Sequence, residues 1–256
     1  MMILPWIYPL ANLAFALESL HPEITRIKSL TSSEFQQLFL FERKPFILEN
    51  YTEEMRSADW ELGVLRQRFQ GVLFRQGPGP YPSDFTNLEG ENLEIFQFGT
   101  LLAQFALGDE INKGCAPVFA MKYIHTLFIH DDPLVACELL RNIRIPKFVR
   151  DGVSLVPLGG LIIGKEGTIT TYHRHEAAIN MLFQGEKYWE IEGVRPFVQH
   201  PLDIVFIPHN HQHFVRNNIF SIAWTFQFHE NHFGTTAGRL ETQLLLERAQ
   251  TLDKQE

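Results

Sequence analysis

The sequence predicts a mainly β protein of the α+β class, in which a small β-barrel carries a helical annex. From Gly159 onward, short β-rich runs are separated by Gly, Pro and Asn, a pattern typical of a sandwich or barrel. Before about residue 150, strand-like and helix-like segments are mixed. The chain has 256 residues, 45% of them apolar, which is enough for one sizeable core. We therefore expect a single domain over residues 1–256.

The N-terminal part, residues 1–150, is predicted to mix helices and strands. Apolar residues at helical spacing predict an amphipathic helix over residues 10–20. Thr31 and Glu34 have the spacing of a capping box, which predicts that a helix begins there. Further strands are predicted at ITRIKSL, FILENY and VLFRQG, further helices at ADWELGVLRQRFQ, 99–107 and 133–143, and a loop at GPGPYPSD.

Residues 151–232 are predicted to form the barrel core. Its strand-like runs are GGLIIG, TITTYH, AINMLF, EKYWEI, DIVFIP, HFVRN and FSIAWTFQF. Residues 233–256 predict an amphipathic helix whose leucines need an apolar partner. The barrel or a second subunit would serve, and the second alternative predicts a homodimer. The leucines of this stripe are Leu240, Leu244, Leu245 and Leu252.

Composition argues against several classes of partner. The net charge of -8 disfavours binding to phosphate backbones, so no nucleic-acid partner is expected. The first twenty residues are apolar, but they lack a basic segment and are interrupted by Pro5, Pro9 and Glu18, so no membrane segment is expected. Cys115 and Cys137 are far apart and nothing indicates that they pair, which favours a cytoplasmic protein.

The histidines indicate the chemistry. Side chains at i and i+2 of a strand leave the same face, so His173 and His175 are predicted to present two imidazoles to one metal ion. A third ligand is expected from the run PHNHQHF. His213 is preferred because it begins the strand-like run HFVRN, whereas His209 and His211 lie in the turn before it. Three protein ligands on one face leave positions for substrate and O2.

Around these histidines the sequence resembles the two motifs of the cupin superfamily. In the first, Gly167 is followed after five residues by His173-Arg-His175 and then, after four more, by Asn180. In the second, Pro208 precedes His213, and Asn217 follows after three residues. Within the superfamily the chain resembles the JmjC-like hydroxylases over about residues 40 to 230. The resemblance implies a double-stranded β-helix, or jelly-roll, barrel that holds a catalytic metal.

The JmjC-like resemblance also implies residues that bind a co-substrate. Thr170 stands three residues before the first histidine, and Gly185-Glu-Lys187 matches a Gly-x-Lys whose lysine binds the distal carboxylate of 2-oxoglutarate. Asn180 and Tyr123 complete the co-substrate residues that we expect. Side chains expected next to the metal ligands are Glu176, Asn217 and His211.

Two positions depart from the JmjC-like pattern. His175 stands where that family has Asp or Glu, so the bound ion would keep its double positive charge and would favour an anionic co-ligand. This charge balance resembles three-histidine cupin oxygenases, including the cupin domain of nitrosourea-forming enzymes, which do not use 2-oxoglutarate. Asn180 stands where many cupins have a glutamate ligand. Glu176 is expected to face away from the metal by strand alternation.

Lys187 bears on the co-substrate. It shares strand parity with Trp189 and Ile191, and if these face the barrel interior, its ammonium is buried and requires an anion such as an organic carboxylate. The alternative is that Lys187 lies near the mouth of a hairpin and extends its ammonium to water.

The sequence therefore predicts a mononuclear non-haem Fe(II) oxygenase. It would use O2 to oxidise a small molecule, an amino acid or a peptide side chain at a site formed by His173, His175 and His213. One alternative is a 2-oxoglutarate-dependent JmjC-like hydroxylase with His175 in place of the usual acid. Another is a metal-binding cupin that is not an oxygenase, such as an isomerase or a ligand-binding module.

Overall fold

The structure, a computed structural model, describes residues 21–52, 61–69, 73–76, 94–97, 125–128, 146–150 and 159–228. Helices are short in these ranges, and none is long and apolar enough to cross a membrane. They are α1 (Ser32–Glu34), which continues as a π-helix (Phe35–Leu40), α2 (Leu62–Phe69) and α3 (Lys147–Arg150).

Strands dominate the described ranges and form two main sheets. The strands are β1 (Thr25–Ile27), β2 (Phe46–Leu48), β3 (Leu73–Gln76), β4 (Glu94–Gln97), β5 (His125–Phe128), β6 (Gly159–Gly164), β7 (Ile169–His173), β8 (Ala177–Gln184), β9 (Lys187–Ile191), β10 (Phe197–Gln199), β11 (Ile204–Ile207), β12 (His213–Asn217) and β13 (Ser221–Phe228). The large sheet has the order β1-β2-β11-β8-β13-β6-β5, and the small sheet has the order β10-β9-β12-β7. Strands β3 and β4 form a separate pair. Within the described ranges, the prediction of a mainly β protein is confirmed.

The chain passes repeatedly from one sheet to the other. Strands β6, β8, β11 and β13 belong to the large sheet, and β7, β9, β10 and β12 belong to the small one. Neighbouring strands from β6 onward pair antiparallel. Most partners within a sheet are therefore distant in sequence, so register depends on how the two sheets pack.

The small sheet packs on one face of the large sheet. Apolar side chains from both sheets share one buried cluster, which is the interior between them. Its members are Ile24, Ile47, Ala178, Val205 and Ile207 on one side and Trp189, Ile191, Phe197 and Val215 on the other. This interior contains the predicted ligands His173 and His213, both buried.

The opposite face of the large sheet is covered by the N-terminal segment. Thr31 and Glu34 form the predicted capping box, with the Glu34 N–H donating to Thr31 Oγ1 at 3.2 Å. The helical turn that follows buries Phe35 against Phe206, with ring centroids 5.1 Å apart. A strand that is covered on both faces is typically apolar along its whole length. In β11 (Ile204–Ile207) every residue is apolar and buried. Other side chains of this outer core include Phe39, Phe46, Leu65, Phe148, Trp224 and Phe226.

Most predicted strands are confirmed, although β4, β5 and β10 were not predicted. All three are short, and β10 follows a Gly- and Pro-containing turn that hides its alternation. The helix predicted at ADWELGVLRQRFQ is present as α2. The predicted helices at 10–20, 99–107, 133–143 and 233–256, the loop at GPGPYPSD, and with them the predicted homodimer contact, lie outside the described residues.

Candidate metal centre

Strand pairing brings the two histidine motifs together. His213 opens β12 and lies opposite His173, the last residue of β7. Two residues further along β12, Val215 lies opposite Thr170, so β7 accommodates one extra residue, an irregularity of the β-bulge type. Directly opposed residues share a face of a sheet, so the bulge puts Thr170 and His173 on the same face although they are three residues apart.

His175 lies next to the other two histidines although it is not part of β7, which strand periodicity did not predict. Strand β7 ends at His173, so His175 follows the strand rather than extending it. The expectation that both rings leave one face of a regular strand is wrong, but the rings converge. Ring centroids are 4.1 Å apart for His173 and His213 and 4.6 Å apart for His175 and His213. One nitrogen from each of the three rings lies within 4.8 Å of the others.

Backbone carbonyls orient all three imidazoles. Nδ1 of His173 lies 2.7 Å from the Thr171 carbonyl oxygen. Nδ1 of His213 lies 2.9 Å from that of His211, and Nδ1 of His175 lies 2.5 Å from that of Glu176. A carbonyl oxygen only accepts, so each Nδ1 carries a proton and donates it, and Nε2 carries the lone pair. This tautomer is the one that metal-binding histidines use when their outer nitrogen is anchored.

Burial keeps the three rings neutral. It lowers the pKa of His173, and burial followed by the charge of His173 lowers the pKa of His175 to about 4. Burial, and then the charges of the other two rings, put the pKa of His213 well below its ordinary value. Neutral imidazole is the protonation state that coordinates a metal, so the three rings need lose no proton before they coordinate an ion at neutral pH.

Glu176 supports the site without joining the cluster. Its backbone oxygen accepts from His175, and its carboxylate lies 2.9 Å from Nδ1 of His209. Among the described residues, the candidate ligand group consists of His173, His175 and His213, with no carboxylate. The preference for His213 over its two neighbours is consistent with this geometry. The His209–Glu176 pair was not predicted, because the two residues are 33 positions apart and no local pattern links them.

Lys187 points into the interior between the sheets. The predicted parity is confirmed, because Lys187, Trp189 and Ile191 are buried while the residues between them are partly exposed. With 1% of its surface exposed, Lys187 does not extend to water, so the alternative is wrong. Its ammonium donates to Asn217 Oδ1 at 2.8 Å, and no carboxylate of the described residues pairs with it. Burial lowers the pKa of Lys187 to about 7.

A row of polar side chains crosses the small sheet at the level of Lys187. Asn217 lies opposite Lys187 on β12 and donates through Nδ2 to Thr168 Oγ1 at 3.0 Å. On the other side, Gln199 lies opposite Lys187 on β10 and accepts from the Trp189 indole N–H at 2.9 Å. Asn217 opposes Lys187 while His213 opposes Ile191, so the row lies four residues from the histidines, roughly 13 Å along the strands.

The sequence identified part of this row. Asn217 was expected next to the metal ligands, but it contacts Lys187 and Thr168 instead. Thr168 and Gln199 were missed. Gln199 shares a strand face with the buried Phe197, but this pattern predicts burial only once β10 is recognised as a strand. Thr168 precedes a strand, and no sequence pattern indicates that it is buried.

Asn180 and Thr170 lie on opposite sheets. Asn180, on β8, is 2% exposed and donates through Nδ2 to Thr225 Oγ1 at 2.8 Å. Its Oδ1 is buried and has no hydrogen-bond partner among the described residues, a cost that a ligand or water would remove. Thr170 shares its face with His173 through the bulge. Tyr123, the other predicted co-substrate residue, lies outside the described residues.

Two residues beside the ligands have structural contacts. Arg174, between the histidines of the first motif, forms an ion pair with Glu192 at 3.0 Å, as a side chain facing away from the metal would. His211 supports His213 through its backbone carbonyl rather than through its ring.

Comparisons with protein-family models and with curated protein sequences find no match for this chain. Three neutral, anchored imidazoles that converge on a common point fit a transition metal that accepts nitrogen ligands.

Proposed function

We propose that this protein is a mononuclear non-haem Fe(II) oxygenase. The observation that carries the proposal is the convergence of His173, His175 and His213, each with Nδ1 anchored by a backbone carbonyl. Iron(II) accepts imidazole ligands, and three protein ligands leave coordination positions for O2 and substrate. When bound, the iron would supply the redox chemistry with O2.

The residues of the chain would hold and shield the centre. The carbonyl contacts fix the ring orientations, and burial keeps the three ligands neutral. Trp189 is buried with its ring centroid 6.2 Å from that of His213, so it would add apolar surface beside this ligand. The ligand set contributes no negative charge, so we propose an anionic substrate or co-substrate beside the ion. The substrate of the proposed oxygenase would be a small molecule, an amino acid or a peptide side chain.

Strand order supports the cupin part of the proposal. From β6 to β13 the chain passes between two facing antiparallel sheets, as a double-stranded β-helix requires. His173 of the first motif ends β7 and His213 of the second opens β12, and these two strands are neighbours. Gly167, at the start of the first motif, has φ of +75°, which a glycine adopts without strain.

A 2-oxoglutarate-dependent hydroxylase is the second candidate, and Lys187 favours it. Among the described residues, the buried ammonium has one neutral amide oxygen as its partner, which is costly, and an organic carboxylate would offset that cost. Oδ1 of Asn180, which has no hydrogen-bond partner within the described ranges, is a further buried polar group in the interior that a bound molecule could satisfy.

Metal content tests the oxygenase proposal. Protein purified without oxygen is expected to bind one Fe(II) per chain, whereas His173→Ala and His213→Ala variants lose it, measured by elemental analysis and by O2 consumption. The matched control is His200→Ala, because His200 is 58% exposed and outside the cluster. Stoichiometric zinc, manganese or nickel without O2 consumption would favour a non-oxygenase cupin instead.

Succinate formation separates the two oxygenase candidates. With Fe(II), O2 and 2-oxoglutarate, the second candidate predicts stoichiometric succinate and CO2, and a Lys187→Met variant that raises the KM for 2-oxoglutarate more than it lowers kcat. If 2-oxoglutarate changes neither O2 consumption nor the spectrum of the iron site, the second candidate fails and the first stands.

A further inference from the structure

Arg174 connects the two halves of the candidate metal centre. It lies between His173 and His175, and its guanidinium donates to the backbone carbonyl of Asn210. The same Nη1 lies 3.0 Å from Glu192 Oε2. One side chain therefore joins the first motif to the loop before His213 and to the turn after β9.

The loop that Arg174 contacts includes a residue in a left-handed conformation. Asn210 has φ of +61°, in the left-handed region that asparagine adopts more readily than most other non-glycine residues. Its N–H donates to the His175 carbonyl at 2.9 Å, and its own carbonyl accepts from Arg174. Both contacts tie the turn to the residues of the first motif.

Glu192 completes the connection. Its carboxylate accepts from the Gln212 N–H at 3.2 Å, and its N–H donates to the Gln212 carbonyl at 2.9 Å. Arg174 and Glu192 therefore hold the loop at Asn210 and at Gln212. Between these two points lies His211, whose carbonyl accepts from Nδ1 of His213 at 2.9 Å.

We propose that Arg174 is a positioning residue for the metal centre: by fixing the loop around His211, it sets the ring orientation and tautomer of His213. This inference rests on the proposed metal site. It gives Arg174 a role in metal affinity, although the guanidinium contacts none of the three rings in the structure.

Charge repulsion and positioning predict opposite changes in metal affinity when Arg174 is replaced, which makes the inference testable. A guanidinium close to a divalent ion repels it, so removing the charge alone would tighten metal binding. Loss of positioning weakens metal binding, because a displaced His211 carbonyl no longer holds Nδ1 of His213. Support residues of this kind typically change metal affinity about 10-fold to 100-fold.

The experiment measures Co(II) affinity and the Co(II) absorption spectrum of the full chain. Arg174→Gln is expected to weaken Co(II) binding about tenfold and to change the ligand-field bands. Arg174→Lys keeps one donor for the Asn210 carbonyl and is expected to bind with intermediate affinity. Long-range nitrogen NMR of the metal-free protein is expected to show the Nδ1-protonated form of His213 in the wild type and a mixture in Arg174→Gln.

Arg26→Gln is the matched control. Arg26 also joins a carboxylate and a backbone carbonyl, Glu49 at 2.9 Å and Val198 at 3.0 Å, and its side chain is 37% exposed against 40% for Arg174. The Arg26→Gln variant should leave Co(II) affinity unchanged. It should change the free energy of unfolding of the metal-free protein as much as Arg174→Gln does.

The outcomes separate this inference from the proposed function. If the wild type binds no Co(II), the metal site itself fails. If the wild type binds Co(II) and Arg174→Gln binds it equally or more tightly, only the positioning role is wrong. An equal loss of affinity in Arg26→Gln would also overturn it, because the effect would then follow from general destabilisation.

Discussion

The two faces of the large sheet bury side chains of different chemistry. On the outer face, aromatic rings from the helical segment and the strands pack against each other, as Phe35 does with Phe46, Phe148 and Phe206. Buried polar and charged groups belong mainly to the interior between the sheets. They include Thr168, His173, Asn180, Lys187, Gln199, His213 and Asn217.

This difference separates stability from function. Burial of apolar rings stabilises the fold without specifying any chemistry. A buried ammonium and neutral buried imidazoles lower stability unless they are satisfied, so they are retained at a cost. We infer that the outer core maintains the sheet while the interior carries the candidate site.

The largest expected effect is on the outer face. Phe35→Ala should lower the free energy of unfolding by about 3–5 kcal/mol, because Phe35 is fully buried among aromatic rings and leaves a cavity. Urea unfolding measures it. Phe41→Ala, six residues away and 69% exposed, is the control and should change stability by less than about 0.5 kcal/mol. Equal costs would contradict the outer core described above.

The next largest expected effect is the rise of folding stability with pH that follows from the lowered pKa of Lys187. The pKa of Lys187 is about 7 in the folded protein and near its ordinary 10.5 in the unfolded chain. Between these values the unfolded chain binds a proton that the folded protein does not, so stability rises with pH, by at most about 1.4 kcal/mol per pH unit. Lys187→Met should remove this rise in metal-free protein, followed by urea unfolding at pH 7.5 to 9.5.

Lys44→Met controls for the loss of a lysine, because the Lys44 side chain is 62% exposed. Its stability should rise with pH as in the wild type. An unchanged pH dependence in Lys187→Met would mean that the Lys187 ammonium is compensated by an anion.

The smallest expected effect is the loss of folding stability at acid pH that follows from the lowered pKa of His175. The pKa of His175 is about 4 in the folded protein and near 6.5 in the unfolded chain. As pH falls from 6.5 to 4, the unfolded chain gains a proton first, so metal-free protein loses stability, by at most about 1.4 kcal/mol per pH unit for this residue. His175→Gln should reduce that loss, while the exposed His200→Gln should not. Thermal unfolding at pH 7 and pH 5 measures it.

Predictions from local patterns agreed with the structure. The capping box at Thr31 and Glu34 spans three residues and needs no distant partner. Lys187, Trp189 and Ile191 share a face because side chains alternate along any strand. His213 was preferred over His209 and His211 because alternation begins there.

Predictions that depended on distant partners were incomplete or wrong. The His173-Arg-His175 pair was interpreted as one regular strand, but β7 ends at His173 and contains a bulge that only its register with β12 reveals. Lys187 could be placed on a face from sequence, but its burial and its contact with Asn217, 30 residues away, depend on the packing of the sheets.

The sequence by itself determined the mainly β class of the fold, the capped N-terminal turn and the preference for His213, because these follow from turn residues, capping spacing and alternation within single segments. Only the tertiary structure decided how the histidines converge, which carbonyls anchor their Nδ1 atoms, and that Arg174 joins both motifs. Those features depend on strand register between distant segments, and register is set by side-chain packing between two sheets rather than by any local pattern.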